Sequence, residues 1–116
     1  MQKDSNIYLK DMLKSIEKIE YYVKDCSYGN FTSNNMLSDA VVRNLEIIGE
    51  AAKNIPSEIK RKNPQIEWKK ISGLRDILIH AYFGINLEII WDIVSNKLPQ
   101  LKNGIREIIS KNIIQK

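Results

Sequence analysis

The sequence predicts an all-α protein, an antiparallel bundle of four main helices plus a short one, and three observations carry that prediction. Apolar residues recur at three- and four-residue steps along nearly the whole chain, the spacing of one helix face. No stretch alternates apolar and polar residues long enough to make a strand. The composition is that of an ordered globular protein, 43% hydrophobic and 28% charged with five glycines and three prolines. At 116 residues the chain is a single domain, 1–116, built on one core.

The elements follow in order. Ile7, Met12, Leu13, Ile16, Ile19, Val23 and Cys26 define a first amphipathic helix over about residues 5 to 26, with Asp4 or Ser5 as its N-cap. SYGNFTSNN then reads as a break, because Ser, Thr and Asn side chains compete for backbone hydrogen bonds and Gly29 favours a turn. Met36 or Leu37, Val41, Leu45, Ile48, Ala52 and Ile55 mark a second long helix ending before Pro56, antiparallel to the first. Between Pro56 and Pro64 a short helical turn and a bend are expected, anchored to the core by Trp68 and Ile71. A third helix is expected from near Ser72 to about Phe83, with Gly84 as a left-handed C-cap. Asn86 caps a fourth, LEIIWDIVSNKL, and a last helix starts around Pro99, where the missing N–H is tolerated. Gly104 falls inside that last helix, at a cost of about 1 kcal/mol relative to alanine.

Charge and special residues narrow the function. The formal net charge is +4, yet the segment from Lys53 to Arg75 holds seven basic residues against two acids, a local +5 that suits a polyanion such as RNA. Lys69 and Lys70 are its candidates for RNA contact. Read blandly, the same segment is a solvated basic face. Cys26 is the single cysteine and His80 the single histidine, too few ligands for a zinc site, so neither a metal nor a cofactor is expected. The charged N-terminal dozen lacks a signal-peptide core and no apolar run approaches the roughly 18 residues of a membrane span, which predicts a cytoplasmic protein without membrane association.

The third helix carries the unusual cluster. Counting about 100° per residue, Ile71, Leu74, Ile77, Leu78, Ala81 and Ile85 form the core stripe, and Arg75, Asp76, Ile79, His80 and Tyr82 lie opposite. Arg75 and Tyr82 nearly eclipse one another, whereas His80 is about 140° away from Arg75, so a second surface must join them. Ile79, apolar amid that polar face, suggests that the surface is another protein chain. Taken singly, a lone histidine, an arginine beside an aspartate and a tyrosine at a helix end are ordinary structural residues. Together they combine a titratable base, a fixed phosphate ligand and an aromatic.

Arg75-Asp76-Ile77-Leu78-Ile79-His80-Ala81-Tyr82 is an R-x4-H-x-Y sequence, and it resembles the signature of HEPN-domain ribonucleases, specifically the HepT-like toxins of prokaryotic toxin–antitoxin pairs. The likeness extends through LEIIGEAAKNI (Leu45 to Ile55), PQIEWKKISGLRD (Pro64 to Asp76), WDIV and LPQL. It implies a homodimer in which two motifs meet across the twofold axis. It also implies RNA as substrate, tRNA or mRNA, cut without metal to a 2′,3′-cyclic phosphate. Arg75 and His80 are then the catalytic residues, supported by Asp76 and Tyr82. The partner implied is a minimal nucleotidyltransferase antitoxin, which in the family can transfer AMP to the motif tyrosine, here Tyr82. A competing class is a non-catalytic module that binds a nucleotide or serves as scaffold for such a nucleotidyltransferase.

Overall fold

The computed structural model describes the backbone of residues 2–80 and 86–114 and the side chains of 7–76, 78 and 86–111. Seven α-helices are present among these residues: α1 (Gln2–Tyr22), α2 (Tyr28–Ser33), α3 (Asn35–Lys53), α4 (Ser57–Lys62), α5 (Trp68–His80), α6 (Leu87–Asp92) and α7 (Leu98–Ile114). No strand occurs among the described residues. The all-α expectation is met. None of these helices is long and apolar enough to cross a membrane.

α3 is the central element, packed between α1 and α5, while α7 returns along α1. The α1–α7 direction is fixed by two ion pairs, Lys102 with Glu20 at 2.7 Å and Arg106 with Glu17 at 3.7 Å. Position rises along one helix as it falls along the other, so the pair is antiparallel. Leu9, Met12, Ile16 and Ile19 of α1 meet Val41, Leu45, Ile48 and Ala52 of α3 in the core, with Leu98, Leu101, Ile105 and Ile108 contributed from α7. Full burial of such a side chain stabilises by about 1.5–3 kcal/mol, so these faces outweigh any intrinsic helix propensity in holding the bundle.

Several expectations change in detail. α1 already includes Gln2, so Asp4 and Ser5 lie inside the helix and do not cap it. It ends at Tyr22, short of Cys26, because Asp25 adopts a left-handed backbone with φ of 62°. The Cys26 thiol instead donates to the Tyr22 carbonyl at 3.8 Å. Leu9 replaces Ile7 in the core stripe: Leu9 is fully buried and Ile7 is 50% exposed.

SYGNFTSNN is not merely a break, since it contains α2. Ser27 accepts from the Asn30 N–H while the Asn30 side chain accepts from the Ser27 N–H, a reciprocal cap. Asn34 then caps α3 through the Leu37 N–H. The residues read as helix breakers act as helix starters. Phe31 anchors α2, fully buried with its ring centroid 5.1 Å from that of Trp91 in α6.

α4 appears between the prolines as expected, but α5 begins at Trp68, four residues before Ser72. Trp68 is buried and its indole N–H donates to the Asn63 carbonyl at 3.0 Å, which fixes the helix start. Asn86 caps α6 as expected, accepting from the N–H groups of Glu88 and Ile89. No separate helix starts at Pro99. α6 and α7 run on through a π-helical turn, Ile93–Lys97, in which the Leu98 N–H reaches the Ile93 carbonyl five residues back. The wider turn adapts the helix to Pro99, which offers no N–H and crowds the carbonyl four residues before it. Among the described residues the bundle thus has four long helical rods, the last of them α6–α7, with two short helices, α2 and α4, where one was expected. The proposed C-cap Gly84 lies outside the described residues.

Candidate active site

The site begins with how α5 is set against α3. Leu78 is buried, and Ile71 and Leu74 pack half-buried on the core, in agreement with the predicted stripe. Ala81 and Ile85 of that stripe lie outside the described residues, as does the side chain of Ile77. The next face of α5 touches α3 at Gly49. A β-carbon there would stand 3.0 Å from the Arg75 nitrogen, 3.1 Å from its Cβ and 3.1 Å from the Ile71 carbonyl oxygen. Such distances are tighter than most side-chain carbons show, so any residue but glycine would make the α5 backbone give by a few tenths of an ångström. The face bearing Arg75 is therefore partly covered by the chain's own α3.

That approach brings charged side chains of the two helices together. The Arg75 guanidinium forms an ion pair with Glu50, Nε to Oε2 at 2.7 Å, and donates from Nη1 to Asp76 Oδ1 at 3.5 Å. Lys53, one turn along from Glu50, lies 3.2 and 3.4 Å from the two Asp76 oxygens. Alternating charges thus run from Glu50 through Arg75 and Asp76 to Lys53. Arg75 remains 38% exposed at its side chain, so the network borders solvent. Pairs this open contribute little to folding, about 0–1 kcal/mol each, and their main effect is to orient the groups.

Arg75 forms part of the wall of a groove of about 440 Å³ between α1, α3 and α5, with Tyr8, Arg43, Glu46 and Glu50 as neighbours. Two guanidiniums and an aromatic ring share this groove with carboxylates, so anionic and hydrogen-bonding groups both find partners there. Sequence reasoning missed Gly49 and Glu50 as site residues. The signal available was a glycine in mid-helix beside an acid in LEIIGEAAKNI, which costs helix stability unless something must come close.

Asp76 is where expected, beside Arg75. His80 is the last residue of α5, five positions after Arg75, hence about 7.5 Å further along the axis; its side chain lies outside the described residues. Tyr82 also lies outside them. Lys69 and Lys70 are exposed in the first turn of α5, and neither lines the groove. Lys70 pairs with Glu67 at 3.0 Å, a bond that holds the Glu67 carboxyl below its ordinary range. These two lysines are thus at the motif helix but at its far end from His80.

Comparison with known proteins identifies the family of the chain. The family model described as ribonuclease HepT-like matches residues 12–108. A protein of Methanocaldococcus jannaschii named "Putative RNase" is 46% identical over 108 residues, 93% of this chain and 89% of its own. A "Probable ribonuclease HepT" of Thermococcus cleftensis is 39% identical over 93% of this chain and 98% of its own. Another Methanocaldococcus jannaschii protein, whose name joins gamma-glutamylcyclotransferase to RNase, is 46% identical over 96% of this chain, which spans half of its length. No solved structure matches significantly. Both the family match and the relatives' coverage extend over most of the helical bundle, including α3 and the motif helix: this chain belongs to the ribonuclease HepT-like family.

Proposed function

We propose that the protein is a metal-independent endoribonuclease, the toxin of a toxin–antitoxin pair, acting as a homodimer. The observation that carries the reading is Arg75: a half-exposed guanidinium held by carboxylates at a groove, five residues before the chain's single histidine on one helix, in a chain of this family. Arg75 binds the scissile phosphate and stabilises the phosphorane. His80, whose imidazole can both take and give a proton near neutral pH, takes the proton from the 2′-OH or gives one to the leaving 5′-oxygen. The bond from O2′ to phosphorus forms as that from phosphorus to O5′ breaks, leaving a 2′,3′-cyclic phosphate and a 5′-hydroxyl. Two chains bring two histidines, one for each proton. Asp76 orients Arg75, Tyr82 contacts a base or phosphate, and Lys69 and Lys70 hold flanking RNA.

A minimal nucleotidyltransferase antitoxin controls the site by binding and by AMP transfer. The Tyr82 hydroxyl attacks the α-phosphorus of ATP, pyrophosphate leaves, and the added anion competes with RNA for Arg75. The deciding experiment is incubation with tRNA in EDTA. The parent is expected to leave cyclic-phosphate ends, with a loss of about 10²–10⁴-fold in Arg75→Ala and His80→Ala. Full activity in those variants overturns the assignment, as does a magnesium requirement. A parent that binds nucleotides through Arg75 but cuts nothing supports the alternative, a non-catalytic nucleotide-binding partner. Light scattering tests the dimer, and intact mass after treatment with antitoxin and ATP, parent against Tyr82→Phe, tests the modification.

A further inference from the structure

We propose that Glu50 is a positioning residue for Arg75, held within reach by Gly49 and assisted by Lys53; its consequence for catalysis rests on the ribonuclease reading above. A guanidinium is a rigid fork with one edge at Nε and another at the terminal nitrogens. The Glu50 carboxylate lies on the Nε side at 2.7 Å, a close ion pair. The Arg75 side chain stays 38% exposed and its contact to Asp76 is long at 3.5 Å, so the terminal nitrogens can meet a phosphate.

The neighbouring carboxylate does not do the same work. Asp76 sits 3.5 Å from Nη1, while the Lys53 ammonium reaches both of its oxygens at 3.2 and 3.4 Å. Lys53 offsets Asp76, and Glu50 makes the closer bond to the arginine. The arrangement depends on helix separation. Gly49 stands next to Glu50, and any side chain there pushes α5 away from α3 and lengthens the Glu50–Arg75 bond. Three residues of α3, at 49, 50 and 53, thus set the aim of two residues of α5.

An opposite role is physically possible for the same contact: a carboxylate on Arg75 could compete with phosphate. The two roles give opposite kinetics. Glu50→Ala is expected to lower kcat for RNA about 100-fold with KM within about threefold, the pattern of lost alignment. Glu50→Gln keeps the shape of the side chain but removes the charge of the ion pair, and is expected to lose nearly as much as Glu50→Ala. The Glu50 side chain is 55% exposed, so both variants should fold, as circular dichroism will verify.

An activity-free measurement accompanies the kinetics. The nitrogen-15 shift of Arg75 Nε, its resonance assigned by loss in Arg75→Lys, is expected to move in both Glu50→Ala and Glu50→Gln, each of which removes the carboxylate charge 2.7 Å away. An unchanged shift in both variants overturns the proposal, and so does an unchanged or raised kcat. If the parent cuts no RNA, the ribonuclease reading fails separately, and the hold of Glu50 on Arg75 stands or falls by the resonance alone.

Discussion

Gly49 and Gly104 both sit in mid-helix where another part of the chain comes to about 3 Å, yet what they meet differs. At Gly49 the neighbours are the Arg75 nitrogen, its Cβ and the Ile71 carbonyl, all parts of the α5 backbone or fixed to it. At Gly104 they are Cδ1 and Cγ1 of Ile66, the end of one side chain. A helix can yield only as a body, whereas a side chain can turn to another rotamer. The first glycine fixes where a charged residue stands; the second makes room for packing.

The difference predicts a graded series, measured by melting at fixed protein concentration. Gly49→Val should be worst, losing about 3 kcal/mol, since two γ-carbons are forced against the α5 backbone. It should also shift the Arg75 Nε nitrogen-15 resonance. Gly49→Ala should cost about 1–2 kcal/mol, the overpacking exceeding the gain of about 1 kcal/mol in helix propensity. Lys53→Ala should cost no more than about 1 kcal/mol, less at high salt, because both partners are half-exposed. Gly104→Ala should lie within about 0.5 kcal/mol of the parent or be slightly more stable, because Ile66 can move while the propensity gain remains. A Gly104→Ala loss as large as that of Gly49→Ala would erase the distinction between a rigid and a yielding neighbour.

The parts legible in the sequence were those set by periodicity within one helix. The stripe of Met12, Ile16 and Ile19, the Val41 to Ala52 stripe and the Asn86 cap all express local spacing, and the structure bears them out. The errors fell where one residue type serves two uses. Ser27, Asn30 and Asn34 could break helices or start them, and only the placing of Phe31 against Trp91 decides for α2. At the site, the adjacency of Arg75 and Asp76 was legible. The bond to Glu50 was not, because residues 25 positions apart meet only after Gly49 lets two helices touch.

The π-helical turn at Ile93–Lys97 gives the last rod a property of phase. A turn widened by one residue changes which side of the helix faces the bundle by about 100° beyond that point. The faces of α6 that hold Phe31 and of α7 that hold α1 are therefore related by the length of this segment as well as by its composition. Deleting one residue there would let the helix close into regular α geometry while swinging Lys102 and Arg106 away from Glu20 and Glu17. Every side chain would survive such a deletion with its chemistry intact, and the fault would lie in timing, with α7 presenting the wrong residues to α1 at every turn.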